Sequence, residues 1–382
     1  MFFFEKKNQK TFARWSAWVA WRSNNQKFFA SFFQKRSPFF LALLLLASCA
    51  SEHFVQLDPP VPPDQVFTVS DQTTLPARVW LPPTGAAWHG VVLALHGYTD
   101  SRDGWEVAGP LFAAAGYAVF SPDQRGFGGT ASRGLWPGTA RLVDDAAELV
   151  GQLRARYPGE PVIVMGESMG GAVAMVLAAR PGRAADAYVL LAPAVWGWGQ
   201  LDPSLAASLR VADWLAPNWA PDPGAVAPDI LASDNIPALL RMGRDPLTIR
   251  RVRIAATRGL VDLMSAAQAA APSVHGAVLV LDGQRDQLVP GAATAAAWDR
   301  LPADVRRGFY THGYHLLARD TDRALVVADI LSWLQAPDRW LPSGADAGAA
   351  AWDAGSPWQA RVGAWVPAGR LDAVGRRPVW PY

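Results

Sequence analysis

A serine flanked by glycines, in the stretch VMGESMGGAV at residues 164–173, is the first candidate for chemistry in this sequence. Gly166 lies two residues before Ser168, and Gly170 lies two residues after it. An apolar run precedes the group and small residues follow it, which is typical of a sharp strand-to-helix turn that exposes a serine hydroxyl. The Met169 N–H would then lie at a helix N-terminus, where it can stabilise an oxyanion. The pattern predicts a nucleophile at Ser168; the alternative is a tight turn with an inert serine.

A nucleophilic serine needs a histidine as base and an acid that orients the histidine. In this architecture both follow the serine in the chain. His275 precedes a predicted strand, which puts it at the wrong end of the sheet, whereas His312 and His315 both follow one. Asp286 comes just after a predicted strand, and Asp282 at the end of that strand is its rival. Spacing alone does not decide between His312 and His315 as the base, or between Asp286 and Asp282 as the acid.

Apolar runs alternate with amphipathic helical patterns along most of the chain. The predicted strands are 90–97, 116–123, 161–166, 187–194, 276–283 and 306–313, and the clearest helices are 139–157 and 322–335. Such alternation indicates an α/β fold, a mostly parallel sheet with helices on both faces. It stops at 195–273, a segment rich in proline and tryptophan that we interpret as a helical cap insertion. Its tryptophans either line an apolar channel over the serine or form the core of the insertion.

Four parts of the sequence resemble a known family. They are LHGYTDS at 95–101, SPDQRGFGGT at 121–130, GESMGG at 166–171, and the pair DGQRDQLVP and YTHGYHLL in the last third of the chain. Because of these motifs, the chain from about Gln72 to Gln335 resembles the α/β-hydrolase superfamily. It is most similar to the monoacylglycerol lipase and lysophospholipase branch, which is also grouped with serine aminopeptidases. The resemblance implies a hydrolase core at 72–194 and 274–336, with the cap at 195–273 between the two parts.

The resemblance also assigns roles to individual residues. In this family the acid ends a G-x-x-D pattern, here at Asp286, and the base follows a tyrosine, here at His315. The residue after a His-Gly pair supplies the second oxyanion N–H, here that of Tyr98, alongside the N–H of Met169. We expect the His96 side chain itself to be satisfied by local hydrogen bonds.

The loop DQRGFGGTA at 123–131 contains glycines spaced as in a dinucleotide-binding fingerprint. No helix opens directly on it, and no acidic residue stands about twenty residues further on at a strand end, so we reject a nucleotide site there. The resemblance instead implies an ion pair between Asp123 and Arg125 that fixes the loop. We expect neither a metal nor a cofactor.

These residues predict a serine hydrolase that forms an acyl-enzyme. A small-molecule ester or a lipid is the expected substrate, because the cap is apolar and aromatic. A serine aminopeptidase is the alternative enzyme, and it should offer a cap carboxylate to the substrate amine. The candidate carboxylates are Asp213, Asp222, Asp229 and Asp234. The alternative outside the enzymes is a non-catalytic envelope lipoprotein, which a missing triad residue would favour.

The first 48 residues differ from the rest of the chain in charge. They carry eight basic residues and one acidic residue, which leaves 27 basic and 32 acidic residues in the remainder. A mildly acidic body argues against nucleic acid as the main partner. All five lysines lie within 1–36, which we interpret as an atypical basic extension outside the fold. At 37–48 an apolar run too short to span a bilayer suits the core of a signal peptide.

The end of this run, LASC, resembles a bacterial lipobox. The resemblance implies cleavage before Cys49, the only cysteine in the chain, and its lipidation as a membrane anchor. By resemblance to enterobacterial sorting rules, Ala50 favours the outer membrane of the cell envelope, facing the periplasm. A lone cysteine excludes an internal disulfide framework. We expect a tether at 49–71 and a tail at 337–382. The tail either is poorly ordered or packs over the surface, or it contacts a partner or a membrane.

Overall fold

One eight-stranded sheet organises the structure, a computed structural model that describes residues 56–182, 184–221 and 230–354. The strands are β1 (Gln65–Thr68), β2 (Thr74–Trp80), β3 (Gly90–Leu95), β4 (Tyr117–Pro122), β5 (Val162–Glu167), β6 (Ala187–Leu191), β7 (Ala277–Gly283) and β8 (Arg306–Tyr310). The helices are α1 (Gly109–Ala114), α2 (Thr139–Arg156), α3 (Met169–Ala178), α4 (Pro203–Leu215), α5 (Ile236–Arg244), α6 (Ile254–Ala270), α7 (Gly291–Trp298), α8 (Arg323–Gln335) and α9 (Ala345–Asp353).

The strand order across the sheet is β1-β2-β4-β3-β5-β6-β7-β8. β1 and β2 are antiparallel at one edge, and β3 to β8 run parallel. Every residue of β3, β4, β5 and β6 is buried, because a parallel sheet is covered on both faces. The predicted α/β-hydrolase fold is thus confirmed. The carboxyl ends of β5, β7 and β8 lie at the same end of the sheet, which is where open α/β sheets bind their ligands.

Two apolar layers hold the sheet between them. On one face α2, α3 and α6 contribute Leu149, Val173 and Leu263 to a single cluster. On the other face α1 and α8 contribute Phe112 and Ile330. Burial on both faces makes the sheet a rigid frame for the loops that leave its carboxyl ends.

The predicted cap at 195–273 is too long. Its last helix, α6, packs on α3 in the layer that covers the sheet, and a Cβ added at Gly197 would lie only 2.6 Å from the Cα of Ser265 on that helix. A parallel pair such as β6 and β7 needs a crossover element, usually a helix. A helical pattern does not show which layer a helix packs in, so this helix was predicted as part of the insertion. The cap proper comprises α4, α5 and their connections, of which residues 222–229 lie outside the described part of the chain.

The predicted tether at 49–71 is wrong from Gln65 onward. Gln65–Thr68 forms β1, which pairs with β2, and the side chains of Phe67 and Val69 are buried. Their alternation with exposed residues has the period of a half-buried strand. The strand is only four residues long, too short for its pattern to stand out beside the prolines that precede it.

Part of the predicted tail at 337–382 is a structural element. α9 lies against the outermost strand, β8, and a Cβ added at Gly348 would lie 2.4 Å from the carbonyl oxygen of Phe309. The Trp352 ring stacks on the Phe309 ring at a centroid distance of 5.2 Å. Helix α9 therefore covers an edge that would otherwise be open to pairing with another chain.

Several predictions fall outside the described residues. They concern the extension at 1–36, the signal segment at 37–48, Cys49, and the tail beyond residue 354. Within the described ranges, no helix is both long enough and apolar enough to cross a membrane. The same ranges contain no group of three or more His, Cys, Asp or Glu side chains that could hold a metal ion.

Candidate active site

Ser168 lies in a strained turn between β5 and α3. Its φ of 55° and ψ of −114° are unusual for a residue with a side chain, and its N–H donates to the carbonyl of Leu191 at 2.9 Å. A Cβ at Gly166 would lie 2.1 Å from the carbonyl oxygen of Gly170, and one at Gly170 would lie 2.3 Å from that of Leu95. Only glycine fits both positions. The predicted sharp turn is present, and it leaves the Ser168 side chain half-buried at the carboxyl end of the sheet.

The structure brings the predicted base and acid into contact. His315 Nδ1 and Asp286 Oδ2 are 2.7 Å apart, and both side chains are buried. The other carboxylate oxygen of Asp286 accepts the N–H groups of Leu288 at 2.7 Å and Val289 at 3.0 Å. These two backbone bonds hold the carboxylate in place, so that it can orient the histidine ring.

The two other candidate histidines lie elsewhere. His312 is exposed. His275 is also exposed and lies before β7. Its backbone N–H donates to the carbonyl of Ala178 at the end of α3. The geometry therefore supports His315 as the base.

Asp282, the rival acid, does not contact His315. Its Oδ2 accepts the indole N–H of Trp298 at 2.8 Å. Burial, helped by the nearby charge of Asp286, raises the pKa of Asp282 to about 7. A carboxyl group whose pKa is raised in this way is a poor partner for an imidazolium.

The surroundings of His315 favour its protonated form. Burial lowers its pKa, but the charge and hydrogen bond of Asp286 and the charges of Glu167 and Asp282 outweigh burial, so the pKa is raised overall. Since Nδ1 is engaged by Asp286, Nε2 is the nitrogen that would take the proton of Ser168. Among the described residues, no side-chain hydrogen bond joins Ser168 to His315. Catalytic hydrogen bonds are often long before substrate binds.

The predicted oxyanion donors flank the serine. Met169 is the first residue of α3, whose initial N–H groups have no partner within the helix. The loop after β3 approaches from the other side, and a Cβ added at Gly97 would lie 4.0 Å from Ser168 Oγ. Tyr98 follows at once, with its ring packed edge-on against Phe127. The roles of both N–H groups remain predictions.

His96 has the structural role expected for it. Its buried ring contacts the carbonyl of Gly97 through Nδ1 at 2.8 Å, and Nε2 accepts the N–H of Gln124 at 3.0 Å. Burial lowers its pKa, which favours the neutral ring that this pattern requires.

The predicted ion pair between Asp123 and Arg125 is wrong. Asp123 pairs with buried Arg102 at 2.5 Å, and Arg125 reaches across to Asp145 on α2 at 2.7 Å. Asp123 points inward beneath its loop, where a Cβ at Gly128 would lie 2.0 Å from its Oδ1. The glycine spacing therefore serves this buried carboxylate.

The cap places apolar groups beside the candidate triad. Leu316, the residue after His315, packs in a small cluster with Ala232 and Leu239 of the cap, and its N–H donates to the Ala232 carbonyl at 2.8 Å. Leu288, two residues after Asp286, packs against the same cluster. The wall next to the base and acid is therefore apolar.

The cap tryptophans do not act as one group. Trp196 is buried in the main core, and Trp198 donates from its indole to Asp262 on α6 at 2.8 Å. Trp214 is 79% exposed. Trp196 thus belongs to the main core rather than to a separate core of the insertion, and Trp214 belongs to neither.

The described cap carboxylates already have partners. Asp213 pairs with Arg258 at 2.8 Å. Asp234 accepts both the N–H and the hydroxyl of Thr321. Asp222 and Asp229 lie outside the described residues.

Sequence reasoning missed a buried charged group beside the triad. Glu167, inside the serine motif, is 2% exposed, and Arg319, four residues after His315, is 3% exposed. Arg319 donates to Asp100 at 2.6 Å. The available signal was the presence of charged residues within two otherwise apolar runs, VIVMGE and YHLLAR.

A family model described as serine aminopeptidase S33 matches residues 86–322 of the chain. A monoacylglycerol lipase of Mycolicibacterium smegmatis is 30% identical over 263 residues, which cover 67% of this chain and 91% of that protein. A human monoglyceride lipase is 25% identical over 260 residues, covering 66% and 82% of the two chains.

Solved structures share the fold. The crystal structure of a monoacylglycerol lipase from Paleococcus ferrophilus has a TM-score of 0.57 and 21% identity, and the match covers 68% of this chain and 98% of that one. A soluble variant of a Saccharomyces cerevisiae monoglyceride lipase, in complex with a substrate analogue, has a TM-score of 0.58 and 19% identity, covering 73% and 97%. The match to the family model includes the turn at Ser168 and both residues of the Asp286–His315 pair.

Proposed function

The chain belongs to the serine aminopeptidase S33 family of α/β-hydrolases, and we propose that it cleaves monoacylglycerol- or lysophospholipid-type esters through an acyl-enzyme on Ser168. Its family and its lipase relatives make it a carboxylic ester hydrolase. Beyond this activity, we propose its mechanism, its substrate class and the location of the protein. The observation that carries it is the 2.7 Å contact between His315 and Asp286, at the same end of the sheet as the strained Ser168 turn.

The first half of the reaction forms the acyl-enzyme. Ser168 Oγ attacks the ester carbonyl while His315 Nε2 takes its proton, and Asp286 holds the ring in the required tautomer and stabilises the imidazolium. The N–H groups of Tyr98 and Met169 bind the oxyanion of the tetrahedral intermediate. The intermediate then collapses, and the imidazolium gives its proton to the departing alcohol.

The second half releases the acid. Water enters, His315 removes one of its protons, and the hydroxide attacks the acyl carbonyl. The bond to Ser168 Oγ breaks, and the serine recovers its proton from the imidazolium. Apart from water, each step uses side chains and backbone N–H groups of this chain.

An apolar substrate is favoured by the wall beside the triad. Leu316 and Leu288 adjoin the base and the acid, and both contact cap residues. Each methylene of an acyl chain buried against such a wall contributes about 0.8 kcal/mol. The names of the related lipases agree with a substrate that has one acyl chain.

A peptidase is less well supported. An aminopeptidase must hold a substrate amine, and the described candidates for that role, Asp213 and Asp234, already have partners within the protein. Buried or paired carboxylates are poor sites for a further cation, since their partners would have to be displaced.

A substrate series tests the proposed activity. With purified protein, we expect kcat/KM for 1-monoacylglycerols to rise by up to about fourfold per added methylene until the acyl pocket is full. Aminoacyl-4-nitroanilides serve as the peptidase substrates, and we expect no measurable cleavage of them. Faster cleavage of an anilide than of every glycerol ester would instead support the aminopeptidase. A folded protein that cleaves neither would support a non-catalytic lipoprotein.

We also propose that the protein is anchored to the bacterial envelope through a lipid on Cys49, on the outer membrane and facing the periplasm. The support is the signal-like run at 37–48 and its lipobox ending. The expected result for Cys49→Ser, expressed in a bacterial host with labelled palmitate, is loss of label and of the membrane-bound fraction. Ser51→Ala is the matched control and should keep both. Palmitate labelling that persists in Cys49→Ser would rule the anchor out.

A further inference from the structure

Glu167 joins the serine turn to the histidine loop. It is the last residue of β5 and immediately precedes Ser168. Its buried side chain accepts, through Oε1, the N–H of Ala318 at 2.9 Å. Ala318 lies three residues after His315 in the loop that follows β8. One carboxylate therefore links the element that carries the nucleophile to the element that carries the base.

Arg319 shares the same buried space and makes three contacts with two other elements. Its Nη2 donates to Asp100 Oδ2 at 2.6 Å, and its Nε donates to the carbonyl of Gly104 at 2.9 Å, both in the loop after β3. Its Nη1 contacts the sulfur of Met242 on cap helix α5 at 2.8 Å. The direct salt bridge is to Asp100, so Glu167 interacts with the guanidinium by charge rather than through a hydrogen bond.

Glu167 and His315 influence each other's protonation. Burial and the charge of Asp100 raise the pKa of Glu167, whereas Arg319, the Ala318 N–H and His315 lower it. Burial has the largest effect, so the pKa is raised to about 7. In return, the Glu167 charge raises the pKa of His315, in addition to the effects of Asp286 and Asp282. The charge of Glu167 also contributes to the raised pKa of Asp320.

We propose that Glu167 is a positioning residue for His315: its buried carboxylate holds the histidine loop against the Ser168 turn and keeps a negative charge near the base, with Arg319 as the counter-charge. This inference rests on the proposed function, because it concerns the base of that reaction. Ionised Glu167 stabilises the imidazolium by its charge from the end of β5, whereas Asp286 contacts the ring from the loop after β7. Its hydrogen bond to that loop also fixes the loop relative to Ser168.

The variant Glu167→Gln separates the charge from the hydrogen bond. Its amide oxygen can still accept the Ala318 N–H, whereas the negative charge is gone. Losing that charge lowers the pKa of His315, so neutral, active histidine persists to lower pH. We expect the acid limb of kcat/KM to move to lower pH by about half to one unit, with KM changed less than kcat. The limb should also become steeper, because one of the interacting groups no longer titrates.

A matched control is Glu106→Gln. Glu106 also faces Arg319, but it pairs with the half-exposed Arg241 at 2.7 Å, in water-accessible surroundings. Its removal should leave the acid limb in place, because exposed charges are strongly screened.

A second measurement does not depend on turnover. The ring nitrogens of His315 can be titrated by NMR in ¹⁵N-histidine-labelled protein, with His315→Ala to assign the signals. A pKa of His315 lower by about half to one unit in Glu167→Gln supports the inference, even if no substrate is found and the proposed function fails. An unchanged pKa, an equal shift in Glu106→Gln, or a Glu167→Gln chain that does not fold would each overturn it.

Discussion

Replacing His315 by alanine is expected to lower kcat for ester hydrolysis by about 10⁶-fold, the order found when the base of a serine hydrolase is removed. Without the imidazole, nothing takes the Ser168 proton or protonates the leaving alcohol. The loss should fall on kcat rather than on KM, because the ring acts in the transition state and contributes little to holding the ester. Steady-state kinetics on a monoacylglycerol, with circular dichroism to establish folding, measures it.

His312→Ala is the control for that experiment. The two histidines lie three residues apart after the same strand, but the His312 side chain is exposed and lies outside the Asp286 contact. Its removal should change kcat by less than about twofold, as surface substitutions away from a site usually do. A large loss in His312→Ala together with a small one in His315→Ala would reverse the assignment of the base.

Asp286→Asn is expected to lower kcat by about 10⁴-fold. An asparagine can present its N–H₂ to His315 Nδ1, which then stabilises the tautomer with its proton on Nε2, where it cannot accept the Ser168 proton. The amide also fails to stabilise the imidazolium. Folding should be kept, because the amide oxygen can still accept the N–H groups of Leu288 and Val289.

Asp282→Asn provides the comparison. Asp282 accepts the Trp298 indole N–H, which an asparagine oxygen can also do, and it has no contact with His315. Its charge raises the pKa of His315 only from a distance, so kcat should change by less than about fivefold. The account of the acid fails if Asp282→Asn loses more activity than Asp286→Asn.

The sequence was sufficient to predict the central strands and the triad candidates. Strands such as β3 and β5 are buried on both faces, so they appear as continuous apolar runs. The turn at Ser168 requires glycine at Gly166 and Gly170 for steric reasons that leave a clear pattern. The choices of His315 over His312 and of Asp286 over Asp282 came from family resemblance, and the geometry now supports them.

The elements that were missed depend on contacts distant in the chain. β1 is four residues long, and its role becomes clear only from its pairing with β2. α9 is recognisable from the close approach of Gly348 to Phe309, which no local pattern encodes. The partners of Asp123 and Arg319 lie 21 and 219 residues away in sequence. Buried ion pairs of this kind are set by the tertiary arrangement rather than by spacing along one segment.

The most direct test of the account is to find the residue that a fluorophosphonate modifies. The reagent reacts with serines activated in this way, so intact mass and peptide mapping should show a single adduct, located on Ser168 and absent from Ser168→Ala. The rate of labelling should fall with the rate of hydrolysis in Asp286→Asn. An adduct on a different residue, or equal labelling of folded Ser168→Ala, would contradict the proposal that Ser168 is the nucleophile.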